Sequence, residues 1–415
     1  MKHSKYPWLM LASTYITQYI GVAFILSAAV AILRQQGVAL DKLALLNLAM
    51  LPLAGKVFYA PIIDKYRLWL QGTYRSWLAF SQFFMALLLV IAGAMDFAHQ
   101  FNLILVILAL YVFFMSIQDV SVDGLSCKLF DAESRKLASS IQFSGNLLGN
   151  IIGGGVILML YPWLDWHGSL WLLAGLTSIS LIQMLFFTEP ELNNSNTQQE
   201  AHMHLLHDIK NFIKHNKHWF AIMALYPIGS TCGFALLSPL LVDNGWSLED
   251  IGFAMKIYGS AVGLISALLA TPLISKIGRI NALFCVILIQ AFALMLMIPL
   301  SLGFTGKIMV YSAITVHFIS FPALLVVSAT IIMDKAALTK HKATFFSLQF
   351  SFASLLGFAY SSVSMAIAKY VGYSPVVITG TVLTLVIALL TWFVLRRKEN
   401  TSSNYTTGLS SHISV

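Results

Sequence analysis

Charge is scarce in this chain. Only 10% of its 415 residues are Asp, Glu, Lys or Arg, and 17 of them are acidic, against roughly a quarter charged in soluble globular proteins. So little charge excludes a surface that faces water throughout. Cysteine is also rare: Cys127, Cys232 and Cys285 are far apart and form no C-x-x-C, which argues against a disulfide framework or a thiolate zinc site. The chain contains no G-x-x-x-x-G-K-[ST], no H-E-x-x-H and no G-x-S-x-G, so nothing in it marks a nucleotide-driven pump, a zinc hydrolase or a nucleophile elbow. No cofactor or metal is expected.

What the chain does have is apolar length, with 58% hydrophobic residues. Stretches able to cross a ~30 Å hydrocarbon layer lie near 7–33, 43–63, 76–95, 102–126, 139–163 and 169–187, and again near 219–242, 251–274, 281–301, 307–333, 344–368 and 375–395. The expected fold class is an all-α membrane protein of twelve transmembrane helices. The first stretch is too long for the roughly 7 to 15 apolar residues of a signal peptide, so it reads as a span. The expected domains are a six-helix half at 1–188, a cytoplasmic linker at 189–218, a second half at 219–398, and a disordered cytoplasmic tail at 399–415.

The basic residues orient these spans. With the N-terminus inside, 19 of the 25 lysines and arginines fall in cytoplasmic segments, four in outer loops and two, Lys56 and Lys256, within spans. This bias predicts that both termini are cytoplasmic. The +8 balance is therefore topological, and no nucleic-acid partner follows from it. A weak internal repeat, Ser140-Ile141-Gln142-Phe143-Ser144 against Ser347-Leu348-Gln349-Phe350-Ser351, suggests two parallel halves. His202, His204, His207, His215 and His218 crowd the linker and read as one solvated amphipathic segment.

Ionisable groups inside apolar spans are costly and tend to be functional. Asp119 and Asp123 sit four apart on span four and share one helix face. Lys56 on span two lies at a comparable depth, roughly 12 to 14 Å from the inner boundary at 1.5 Å per residue, so it is the expected partner of Asp119. A proton-coupling role for Asp119, Asp123 and Lys56 follows as an expectation, against the alternative of a permanent ion pair between two helices. Lys256, near the outer end of span eight, can snorkel. Gly145, Gly149 and Gly153 form a small-x-x-x-small ladder suited to close helix packing.

With no energy-transducing motif in the chain, the candidates are a carrier driven by an ion gradient, a uniporter, or a membrane-embedded transferase. Only Asp119 and Asp123 approach the catalytic cluster a transferase needs.

The pattern P-x3-K-x4-P-x2-D (Pro52, Lys56, Pro61, Asp64) followed by Q-D-x3-D (Gln118, Asp119, Asp123) resembles the AmpG-like branch of the major facilitator superfamily. Within it, Leu33-Arg34-Gln35-Gln36-Gly37-Val38 looks most like siderophore permeases of the rhizobactin and pyochelin systems. The resemblance covers roughly residues 7–150.

It implies a monomeric, proton-coupled importer in the bacterial inner membrane that moves a siderophore, or alternatively a muropeptide or other cell-wall fragment. It also implies a central cavity lined by Tyr15, Gln18, Tyr19, Gln142, Tyr226, Ser230, His317, Ser320 and Gln349, and a gating loop containing Asp64, Lys65 and Arg75. The compact G-R-[KR] ending of that loop is missing, and its counterpart is reduced to Ser275-Lys276-Ile277-Gly278-Arg279.

Overall fold

With no water to satisfy peptide groups in a bilayer, a spanning segment must close its hydrogen bonds internally, and the described secondary structure is accordingly helical, without strands. The computed structural model describes residues 7–29, 32, 51–190 and 205–410. The 33–38 stretch, the start of span two (43–50), the linker segment 191–204 with His202 and His204, and residues 411–415 lie outside the described residues.

The helices are α1 (Pro7–Ala23), α2 (Leu51–Ala54), α3 (Lys56–Lys65), α4 (Thr73–Ala94), α5 (Phe97–Leu129), α6 (Arg135–Asn150) and α7 (Ile157–Phe186). They continue as α8 (Leu205–His215), α9 (Lys217–Leu225), α10 (Pro227–Thr231), α11 (Phe234–Asp243), α12 (Leu248–Gly252), α13 (Gly259–Ile277), α14 (Arg279–Ser301), α15 (Lys307–Ala337), α16 (Lys342–Val371) and α17 (Tyr373–Ser410).

Among the described residues, ten stretches are long and apolar enough to cross a membrane. One of them, Arg135–Phe186, has 52 residues, about twice what a single crossing needs. It is folded back at Asp165 (φ 51°, ψ −166°) and so supplies spans five and six. Span two, represented by α2 and α3, is too short among the described residues to be counted. With those two allowances the architecture is the expected twelve-helix one.

The exposed side chains agree with lipid as solvent. Phe58, Trp163 and Phe186 are 78–85% exposed, an arrangement unfavourable in water.

The chain forms two compact units, Met1–Ala201 with Ala329–Ser351, and His202–Ser328 with Phe352–Val415. The division falls inside the expected linker, but Ala329–Ser351, expected in the second half, belongs to the first unit. Polar contacts explain this: Asp64 holds the start of α16, and Arg135 pairs with Asp334 at 3.0 Å.

In the first unit α4 packs on α5 and α7, and α1 on α6, around Phe24, Met85, Leu108, Tyr111 and Trp166. The glycine ladder lies along α1. A Cβ on Gly149 would stand 2.6 Å from the Tyr19 Cβ, and one on Gly153 would stand 1.9 Å from the Ile20 carbonyl oxygen. No side chain larger than hydrogen fits there.

In the second unit Leu236, Leu240, Leu294, Met297, Ile314 and Val377 form the core. α17 is helical to Ser410, past residue 399, where the polar composition predicts an irregular tail. The reason is that extending an existing helix adds one hydrogen bond per residue and needs no new nucleus.

Candidate functional site

A buried polar cluster occupies the centre of the first unit. α5 carries Asp119 and Asp123 one turn apart, 6% and 0% exposed. Lys56 Nζ donates to Asp119 Oδ2 at 2.8 Å, and Gln18 Nε2 donates to Asp119 Oδ1 at 2.6 Å. Lys56 opens α3 just after the break at Gly55 (φ −80°, ψ 0°), and its ammonium also lies 4.5 Å from the Phe350 ring centroid. A desolvated cation over a π face gains electrostatic stabilisation there.

Asp123 is held differently. Tyr15 Oη donates to its Oδ1 at 2.9 Å, and Gln142 Nε2 donates to the same oxygen at 3.0 Å. Asp123 Oδ2 is buried with no partner, as are the amide oxygens of Gln18 and Gln142. The cluster thus holds two carboxyl groups and one lysine, which pairs with Asp119, and it keeps one unit of negative charge when both carboxyls are ionised. An uncompensated buried charge is unfavourable by several kcal/mol.

A second polar cluster of the same unit gathers where the end of α3 meets the start of α16. Asp64, at the end of α3, accepts from the Ala343 amide (3.1 Å), the Thr344 amide (2.7 Å) and the Thr344 hydroxyl (2.6 Å). It thereby caps the first turn of α16 from outside that helix. The Tyr74 hydroxyl donates to Asp64 Oδ1 at 2.5 Å. Arg75 reaches across to the last carbonyls of α7, Met184 and Leu185, while its own amide donates to Glu189. Glu189 also takes Lys128 at 2.6 Å. Lys65, the third residue expected in this gate, is exposed and lies over the Tyr66 ring. Between α5 and α6, Asp131 accepts from the Ser134 amide, and hydrogen bonds from Ser134 hold its carboxyl below the usual aspartate range.

The expected cavity residues separate into groups. Tyr15, Gln18 and Gln142 belong to the carboxylate cluster. Tyr19 is half-buried on α1 beside Gly149. Gln349, the repeat equivalent of Gln142, donates to the Phe345 carbonyl at 2.9 Å.

In the second unit Tyr226 is buried. The Ser230 and Ser320 hydroxyls donate to the carbonyls three residues back, of Pro227 and His317. The His317 ring stacks on Phe234 at 3.6 Å and nearly parallel. Lys256 is exposed in the π-helical turn Phe253–Tyr258, and no group of three or more metal-ligating side chains occurs among the described residues.

Residues 11–361 match the profile of the Major Facilitator Superfamily. The chain belongs to the major facilitator superfamily. Members of this superfamily are transporters, and this facilitator is a multi-pass membrane protein of that class. Its similarity by sequence is to the AmpG-like branch. The chain is 24% identical to the anhydromuropeptide permease of Escherichia coli (strain K12) over 234 residues, which are 55% of this chain and 47% of that protein. It therefore spans about half the length of that relative. It is 23% identical to the "Putative transporter AmpG 3" of Rickettsia prowazekii over 374 residues, 86% of this chain and 88% of the relative. The fold matches the human organic anion transporter MFSD10 with a TM-score of 0.68 at 13% identity, covering 92% of this chain and 98% of that one.

Several residues of the facilitator's two clusters have no sequence signal strong enough to find them. Thr344 could have been suspected, because a Thr after a basic loop is a common helix start. Glu189 reads as the first residue of a polar linker, yet it is 3% exposed. Only the fold shows that it pairs with Lys128 and the Arg75 amide. Tyr74 and the Arg135–Asp334 pair are equally silent in the sequence.

Proposed function

We propose that this facilitator is a proton-coupled importer of a cell-wall fragment of the muropeptide class, working by alternating access in the bacterial inner membrane with both termini in the cytoplasm. The observation that carries the coupling is the Lys56–Asp119–Asp123 cluster, where the one ammonium pairs with Asp119 and the buried Asp123, one turn away, has no cation of its own. Asp119 has its own cation and amide donor. Asp123 has two donors on one oxygen and none on the other, and it is the group we assign as proton carrier, with Asp119 and Lys56 as the fixed charge pair beside it. A proton on Asp123 brings the cluster to neutrality, and its loss restores a charge that only a polar opening can stabilise.

The substrate class rests on the relatives named as muropeptide permeases. The siderophore expectation carried by 33–38 finds no support in the names of these relatives. A bulky, polar glycopeptide suits a superfamily fold whose expected lining includes Tyr19, Tyr226 and His317.

The test is uptake by proteoliposomes containing only this chain, with labelled anhydromuropeptide and labelled ferric siderophore offered separately under an inward proton gradient. Accumulation of the muropeptide that collapses with a protonophore supports the proposal. Accumulation of the siderophore alone overturns the substrate, and muropeptide uptake indifferent to the gradient overturns the coupling.

A further inference from the structure

The helix before span seven has an exposed side that the transport site does not use. α8 (Leu205–His215) reads L-L-H-D-I-K-N-F-I-K-H, and the 3.6-residue period sorts it into lines. Ile209, Phe212 and Asn216 follow one line and are half-buried. The neighbouring line carries Leu206, Lys210 and Ile213 and is exposed: Leu206 is 83% and Ile213 38% accessible. Lys214 borders that line, while Asp208, the helix's one acidic residue, falls on the opposite side. Among the described residues no carboxylate pairs with Lys210 or Lys214.

Geometry fixes where this helix ends. Asn216 (φ −102°, ψ 22°) breaks the helix, and the next residue, Lys217, begins a membrane-spanning stretch. Phe212 and Phe220 meet edge to face across the corner, with centroids 6.1 Å apart. The end of α8 is thus tethered one residue from the membrane boundary. Apolar side chains interleaved with lysines at that depth match what an amphipathic helix presents to a bilayer, with the apolar groups among the acyl chains and the ammoniums at the phosphates.

We infer that α8 is an in-plane helix that docks on the membrane surface through Leu206 and Ile213 and binds anionic lipid headgroups through Lys210 and Lys214. The occupant is lipid because the basic residues flank the exposed apolar line and the acidic one does not.

The test is hydrogen exchange of the full chain in bilayers of phosphatidylcholine alone and of phosphatidylcholine with phosphatidylglycerol. Each lysine near an anionic surface contributes roughly fivefold, so amides of 205–215 should exchange on the order of 25-fold more slowly with phosphatidylglycerol present. Lys210→Gln with Lys214→Gln should remove that difference. Leu206→Gln with Ile213→Gln should speed exchange in both bilayers, with the amides of the spans unchanged. Equal exchange of the unmodified chain in the two bilayers overturns the proposal without needing a variant. Protection that follows protein density in place of lipid charge also overturns it, since the occupant would then be a second copy.

Discussion

Removing the Asp64 carboxylate should loosen the start of α16 and expose a native thiol that reports it. Asp64 accepts two amides and one hydroxyl from Ala343 and Thr344. An N-cap replaced by alanine costs about 1 kcal/mol, and a hydrogen bond to a charged group contributes about 1.5 to 3 kcal/mol. Non-additivity within one cap brings the whole contact to about 3 kcal/mol, or roughly a hundredfold in the released population.

The reporter is Cys127, which is 2% exposed and lies three residues from Gly124. A Cβ on Gly124 would stand 2.5 Å from the Tyr74 ring and 2.8 Å from the Ala343 Cβ, so the start of α16 covers this end of α5. In Asp64→Ala, alkylation of Cys127 by a membrane-permeant maleimide, quantified per site by mass spectrometry, should rise by roughly a hundredfold. Cys232 and Cys285 serve as internal references. Asp64→Asn keeps an acceptor and loses only the charge–dipole contribution of about 0.3 to 1 kcal/mol, so its labelling should rise no more than about fivefold. Unchanged Cys127 labelling in the alanine variant refutes the assignment of Asp64 as the clamp on α16.

Asp123→Asn keeps an oxygen for Tyr15 and Gln142 but cannot carry a proton, so gradient-driven accumulation should be lost while exchange of substrate across the membrane persists. Full accumulation by this variant would exclude Asp123 as carrier. Lys56→Met strands Asp119 and should destabilise the protein by about 3 to 5 kcal/mol. The double variant Lys56→Met/Asp119→Asn should recover most of that stability in detergent thermal unfolding without recovering coupled uptake. Gly153→Val, forced against the Ile20 carbonyl, should lower the unfolding temperature or yield no folded protein, whereas Gly155→Ala, where a Cβ meets nothing within 4 Å, should have little effect on the same measurement.

The spans, their number and the two charged positions on α5 were legible in the sequence because lipid imposes strong, local rules. A segment must be long, apolar and helical, and any carboxylate inside it stands out. Lys56 was legible as a partner for Asp119 because both could be measured from an inner boundary in steps of one helical rise. The contacts of the loop after α3 were only half legible. Asp64 and Arg75 are engaged, but Lys65 is not, and their partners Thr344, Tyr74 and Glu189 come from distant parts of the chain. Gln142 and Gln349, equivalent in the repeat, have different hydrogen-bond partners. The repeat is real in sequence, but one amide reaches Asp123 and the other turns back to a helix carbonyl.

By itself, then, the sequence determined that this chain lives in a bilayer as a helical facilitator, since the solvent acts on every residue and leaves its mark on composition and period. Tertiary structure alone decided which groups hold Asp123, which of its oxygens is left without a donor, and where the end of α3 meets α16. Those outcomes depend on ångström distances between segments up to 280 residues apart, and no local pattern encodes them.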